Sequence, residues 1–374
     1  MAAIRLSLAA FAVILVLAVF ALAGPRAALL VAIGLGYGLV LEGLRFGFAG
    51  PWRVMVTERD GRGLLAQLLA IGITAAAAIP LIAAAPQELV GAAAPIGIAM
   101  IGGAFVFGAA MQLVMGCGSG TLVNAGSGNL VGAVALAGFV AGSFLGTLHL
   151  GWWTGLGSLP VLTVQDFFGS TGGLAVTLLG LAAVAAVVVL RSAPGKRLLP
   201  RRLFVAAVLI ALLAIVNLAV AGQPWGIVYG LGLWGAKIAQ AAGADLSANA
   251  FWSSPVHAER LSQSILTDYT SLTNIGLVVG AFLAMRWRAA PAAQVKRLRA
   301  ESWAVVLLAG LVLGYSARLA FGCNIGAFFS GVSTGSLHGW VWFVAAFAGS
   351  TFGVRLRPIL LRSPQIAAAE GSPA

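Results

Sequence analysis

Residues 95–130 read PIGIAMIGGAFVFGAAMQLVMGCGSGTLVNAGSGNL. The run from Pro95 to Met115 carries no charge, breaks into a glycine-punctuated polar stretch around Cys117, and resumes as an apolar segment at Leu130. An uninterrupted apolar run of this length suits a membrane-crossing helix, which needs roughly 20 residues, and far exceeds the roughly ten alternating residues of a barrel strand. Similar segments flank it on both sides: Leu8 to Ala23, Ala27 to Leu44, Leu64 to Ala85, Leu130 to Leu150, Gly172 to Leu190, Leu203 to Ala221, Ser271 to Met285, Ser302 to Tyr315 and Trp340 to Val354. The first of these follows Arg5 and looks like a signal peptide, but lacks a small-x-small cleavage site before a polar region, so a retained helix is expected. The stretch Trp225 to Ala241 is interrupted by glycines and holds Lys237, and with the polar residues up to Asp268 it suits a re-entrant hairpin better than plain spans.

Composition agrees with this reading. Of 374 residues 60% are hydrophobic and 9% charged, with mean hydropathy +1.02, whereas soluble domains carry roughly a quarter charged residues. A soluble enzyme and a disordered chain are excluded, two cysteines exclude a disulfide scaffold, and the 50 glycines lack a collagen period. The expected fold class is an all-α polytopic membrane protein, with residues 1–374 forming one membrane domain.

The net charge of +12 comes mainly from clusters between the apolar segments. These are Arg45, Arg53, Arg59 and Arg62; Arg191, Lys196, Arg197, Arg201 and Arg202; Arg286, Arg288, Lys296, Arg297 and Arg299; and Arg355, Arg357 and Arg362. Excess Lys and Arg mark cytoplasmic loops, so these clusters and the tail 355–374 are expected inside, and the loops around Glu88 and Trp152 to Asp166 outside. The basic balance therefore reports orientation in a cell inner membrane, with the lipid bilayer as partner and no nucleic acid.

The chain also repeats itself. Gly116, Cys117 and Gly120 recur as Gly322, Cys323 and Gly326, and Ser127-Gly128-Asn129-Leu130 is matched by Thr334-Gly335-Ser336-Leu337. Gly142 and Gly146 recur as Gly349 and Gly353, and Tyr37-Gly38 as Tyr229-Gly230. Counting crossings from the basic loops, Pro95 to Met115 is entered from outside and Ser302 to Tyr315 from inside, so two modules, 27–150 and 203–354, are expected to be inverted, joined by 151–202. Inverted repeats with broken helices place a transporter's substrate site at the repeat interface.

Both cysteines thus occupy one position in two copies of a glycine-rich loop. Gly116, Gly118, Gly120, Gly322 and Gly326 allow the backbone to turn and approach closely, and Thr121 or Asn324 can cap the next helix. Helix starts offer free N–H groups to an anion, and a thiol can touch a sulfur-bearing ligand without the desolvation cost of a charge. Against this, a free cysteine is ordinarily a small buried hydrophobe. Ionisable groups at membrane depth suggest function, which brings in Arg318 and Lys237 as attractors of an anion, with Arg45 and Glu42 nearby in the pattern. His338 either starts a helix or touches the ligand. Asn124, Ser127, Asn129, Asn324, Ser330, Ser333, Thr334 and Ser336 are expected to line a cavity. No His/Cys cluster at metal-ligand spacing and no Walker motif occurs, so neither metal nor cofactor is expected.

The segments Met111 to Leu122, Ala317 to Gly331 and Ser336 to Trp340, together with Phe46-Gly47-Phe48, Trp52-Arg53 and Leu233 to Lys237, resemble the YeeE/YedE sulfur-transport family. The resemblance implies a non-enzymatic importer of thiosulfate or a related small sulfur-containing anion with an hourglass-shaped inverted-repeat fold. Cys117 and Cys323 would be its relay thiols, and a small cytoplasmic sulfur-carrier protein a partner. Some relatives are linked to selenium metabolism. Thiosulfate-importing members carry a further cysteine in an early Arg-Phe-Cys-Phe motif where this sequence has Arg45-Phe46-Gly47-Phe48, leaving two thiols. The competing reading is a membrane sulfurtransferase or redox protein that carries a persulfide on cysteine.

Overall fold

The computed structural model describes residues 2–288 and 300–360; Lys296, Arg297, Arg299, Arg362 and the last part of the basic tail lie outside the described residues. A lipid core offers backbone groups no partner, so an apolar chain satisfies them within helices. The order is α1 (Ala2–Gly43), α2 (Gly50–Glu58), α3 (Arg62–Ala84), β1 (Pro95–Gly97), α4 (Ile98–Leu113), α5 (Gly118–Gly126), α6 (Leu130–Thr154), β2 (Ser158–Val161) and α7 (Val164–Arg191). Then come α8 (Arg201–Ala221), α9 (Val228–Ala241), α10 (Pro255–Ser262), α11 (Tyr269–Trp287), α12 (Ala300–Leu319), a π-helical turn (Asn324–Phe329), α13 (Ser330–Ser333) and α14 (Leu337–Leu360). Among the described residues eight helical stretches are long and apolar enough to cross a membrane. The chain is an all-α, multi-pass membrane protein. Within α1 the two expected spans are separated at Gly24, whose φ of 84° precedes Pro25. That proline has no N–H to continue the ladder.

The long helices pair through glycine. A β-carbon at Gly142 of α6 would overlap Leu311 O of α12, and one at Gly314 of α12 would overlap Phe139 O of α6. Gly349 and Gly353 of α14 sit in the same way on Phe105 O and Ala109 O of α4. Small residues let helix backbones touch where lipid supplies no hydrophobic drive to associate. In both pairs the residue numbers rise together, so α6 runs parallel to α12 and α4 parallel to α14. The β1–β2 ribbon is antiparallel, Pro95 opposite Val161 and Gly97 opposite Ser158, so α4 starts where α6 ends. It follows that α4 and α6 are antiparallel, and therefore that α4 and its repeat equivalent α12 point in opposite directions. The exchange is reciprocal throughout: α4 lies on α14 as α12 lies on α6, and α1 lies on α11 as α8 lies on α3.

Described members of the first three basic clusters meet at one end. Arg59 Nε donates to Arg191 O at 2.9 Å, Lys196 pairs with Glu58 at 2.9 Å, and Glu42 takes Arg288 and Arg45. At the far end the ribbon is joined by Val90 N on Gly222 O and Leu337 N on Leu162 O. From each end one segment dips inward and returns. After α1, residues 44–49 descend and α2 climbs back; after α8, residues 222–227 descend and α9 climbs back. The dips meet inside, where Phe48 lies edge-on to Trp225, itself stacked on Tyr37 at 3.8 Å. Of the stretch Trp225 to Asp268 read as a re-entrant hairpin, the part up to Ala241 makes the dip and its return, and the segment after it, with α10, covers the far end, Trp252 Nε1 donating to Thr147 Oγ1 and Asn249 Nδ2 to Leu148 O.

One expected match is corrected. Tyr37 lies within α1 and Tyr229 at the start of α9, whereas the packing makes α8 the counterpart of α1 and α2 the counterpart of α9. The two copies differ in length between these elements, so an ungapped comparison of aromatic-glycine pairs aligned unlike helices.

Candidate functional site

The two cysteine loops share one backbone. Each begins with a non-glycine residue in the left-handed region, Met115 and Phe321, both at φ 55°. In each, a glycine N–H closes back on the preceding helix, Gly116 N to Met111 O at 3.1 Å and Gly322 N to Ala317 O at 2.9 Å. Each cysteine is then an extended N-cap whose carbonyl accepts the first bond of the next helix, from Thr121 N and from Ala327 N, both at 2.9 Å. The left-handed residue costs about 1–2 kcal/mol. Its effect is to stop a transmembrane helix halfway and restart it with free N–H groups pointing inward.

The loops lie against each other and floor two separate cavities. Cys323 Sγ sits 3.0 Å from where a β-carbon on Gly118 would be. Toward the basic end a cavity of about 180 Å³ is lined by Gly116, Ser119, Gly120 and Asn124 of the first loop with Arg45, Phe46, Gly47, Phe48 and Met115. Toward the far end a cavity of about 370 Å³ is lined by Gly322 and Gly326 of the second loop with Trp225, Tyr229, Phe251, Arg318 and His338. Both thiols are buried between them.

The flanking groups are spent in specific ways. Cys117 Sγ lies 3.3 Å from Ser119 Oγ, and Thr121 Oγ1 donates to Gly118 O inside its own helix. Asn324 is fully buried with neither amide atom partnered. Arg318 is 9% exposed and donates through Nη2 to Ser143 Oγ at 3.3 Å and Val228 O at 3.2 Å. Its guanidinium lies over the rings of Phe251 and Tyr229, it makes no salt bridge among the described residues, and Nε has no partner. His338 Nδ1 meets Ser336 Oγ at 2.7 Å while Nε2 has none.

Lys237 stands elsewhere. Its ammonium donates to Leu261 O and Gln263 O at the end of α10, so it ties the far-end cap down instead of joining the cysteine loops. Of the polar residues expected to line a cavity, Asn124 does; Ser127 and Asn129 bond within their turn, Asn324 is buried outside both linings, Ser330 holds Trp225 O, Ser333 Oγ donates to Ser330 O, Thr334 Oγ1 accepts Ala92 N, and Ser336 holds His338.

Sequence reasoning passed over the side chains that suspend the re-entrant dips. Gln67 Nε2 donates to Gly47 O at 2.9 Å, and Asn274 Nδ2, 207 positions later, donates to Ile227 O at 3.0 Å. Gln112 Nε2 reaches Ala49 O at 3.3 Å and Ser350 Oγ at 2.8 Å, the places that Val228 O and Ser143 Oγ hold for Arg318. An uncharged amide inside an apolar helix was the available signal, since such a group needs a partner at membrane depth.

The profile of the sulphur transport family matches residues 44–352, from the start of the first dip to near the end of α14. The chain belongs to this family. Over 144 residues it is 31% identical to the probable transporter YedE of Escherichia coli (strain K12), a match covering 36% of this chain and 33% of that protein. The probable transporter YedE of Salmonella typhimurium (strain LT2) gives the same figures. The match therefore spans about a third of the length of these relatives. Within the sulphur transport family the cysteine loops fall inside the matched region, as do both cavities' principal walls.

Proposed function

We propose that this protein carries thiosulfate, or a related small sulfur-containing anion, across the inner membrane from the far-end cavity to the basic end, between Cys117 and Cys323. The observation that carries the reading is the pair of cavities on opposite sides of two equivalent, mutually touching cysteine loops. An anion entering the larger cavity meets Arg318, His338 and the loop around Gly322 and Gly326. At the narrow point, uncharged thiols let a terminal sulfur pass by weak S–H hydrogen bonds, and the loop amides take its oxygens. Modules 27–150 and 203–354 would act as the two halves that meet there. By the positive-inside rule the basic end and the tail face the cytoplasm, where a small sulfur-carrier protein would collect the product.

The persulfide-enzyme alternative has less support, because a reactive thiol needs access to its reactant and both Cys117 and Cys323 are buried. Uptake of labelled thiosulfate by cells lacking their own importers tests the proposal: expression should restore uptake, and failure of a membrane-inserted protein to do so would defeat it.

A further inference from the structure

We infer that the face from which this protein captures its anion is set by one residue pair, Arg318 and Gln112; the inference rests on the anion-transport reading above. The two side chains stand 206 positions apart at the ends of equivalent helices and occupy the same frame. Each donates from one terminal nitrogen to a serine hydroxyl of the paired helix, Ser143 or Ser350, and to a carbonyl where a dip turns into its returning helix, Val228 or Ala49. Gln112 has only the two N–H groups of its Nε2, and the frame uses both. Arg318 uses the two on Nη2 and keeps those on Nε and Nη1. Its Nε has no protein partner, although the residue is nine-tenths buried and lines the far-end cavity.

The same bias recurs around it. The counterpart of His338, 207 positions earlier, is Val131, and the counterpart of Asn324 is Gly118. Both His338 and Asn324 hold buried atoms without partners. In the tautomer where the Ser336 hydroxyl donates to Nδ1, His338 Nε2 carries the hydrogen and is a further donor without a protein partner, on a residue that lines the far-end cavity. Surplus donors and an uncompensated charge therefore stand in the frame on the far side of the cysteine loops, where the equivalent frame on the basic side holds only an amide. On the basic side, Arg45 lines the cavity but is more than half exposed and shares Glu42, and Arg357 donates to Met115 Sδ at 2.6 Å. Arg45 sits at a solvent-screened rim and the buried Arg357 at the start of the first loop, and neither stands in the frame that Gln112 occupies.

The test measures the half-saturating concentration of labelled thiosulfate from each face of sealed right-side-out and inverted vesicles holding the full chain. Wild type should saturate at lower concentration from the far face. Arg318→Gln should raise the far-face value about tenfold or more, as expected for losing a buried charge-assisted donor, while the basic-face value moves less than about twofold. Arg318→Lys should keep the preference, and Arg318→Gln with Gln112→Arg should transfer it to the basic face. Should the double variant fail to insert, the Arg318→Gln and Arg318→Lys pair decides. Unchanged sidedness in Arg318→Gln, or no preference in wild type, overturns this inference and leaves thiosulfate transport standing. Absence of thiosulfate transport in wild type overturns both.

Discussion

Gly146→Ala perturbs packing and site together. A β-carbon at Gly146 would lie 2.8 Å from Arg318 Cβ and 3.1 Å from Arg318 Cγ and Tyr315 O. Carbon atoms pack comfortably at about 3.5–4.0 Å, so roughly 1 Å must be found. The near atoms belong to the root of a side chain and to a backbone, and neither swings away as a side-chain tip would. Either α12 retreats from α6, which the glycine contacts at Gly142 and Gly314 resist, or Arg318 shifts from Ser143 and Val228. Overpacking of this kind costs about 1–3 kcal/mol, and the better helix propensity of alanine offsets about 0.5–1 kcal/mol. Gly151→Ala, in the same helix with nothing within 4 Å, receives the gain without the clash. Thermal melting in detergent should therefore place Gly146→Ala below wild type and Gly151→Ala at or above it. Uptake at subsaturating thiosulfate should fall in the first and hold in the second. Equal melting of the two variants, with wild-type uptake in Gly146→Ala, would refute the reasoning about close approach and about Arg318.

Other expectations concern the suspended dips, the basic end and the far-end cap. Gln67→Leu strands the buried Trp52 Nε1 along with the half-buried Gly47 carbonyl, and Asn274→Leu strands the buried Ile227 carbonyl; each should cost about 1–3 kcal/mol in unfolding measurements, with uptake reduced because the dips line the cavities. Asp60 accepts from the Arg62 guanidinium, which holds its carboxyl below the usual range. A lowered folded value means stability present above the unfolded value near about 4 and lost as pH falls through the folded one. Asp60→Asn should thus melt lower than wild type at neutral pH, and the gap should close on acidification; a gap independent of pH would contradict the pairing. Lys237→Met should loosen the cap, seen as faster amide exchange around Leu261 to Gln263, while the half-saturating thiosulfate concentration stays at the wild-type value.

What the sequence made legible follows from what bilayers demand. Apolar length placed the helices, and the glycines flanking Cys117 and Cys323 marked where helices must break, because those signals are local. The kink at Gly24 and the dip at Trp225 were legible for the same reason. The frame that holds the site was not, since its members are matched by role and differ in chemistry: Arg318 answers to Gln112, and Asn274 to Gln67. Identity-based comparison sees no repeat in such pairs. Nor does spacing help, because Ala49 and Val228 stand 179 positions apart while the helices that hold them are offset by 206 or 207. Lys237 shows the opposite error. A lysine inside an apolar stretch looks like a ligand for an anion, but carbonyls left open at the end of a neighbouring short helix, distant in sequence, claim it.

The central claim is that a sulfur anion passes between two thiols. Uptake of labelled thiosulfate into cells without their own importers, compared among wild type, Cys117→Ala and Cys323→Ala at matched membrane levels, tests it most directly. Wild type should import, and each single variant should lose most of that uptake; import by both variants at the wild-type rate would contradict the account.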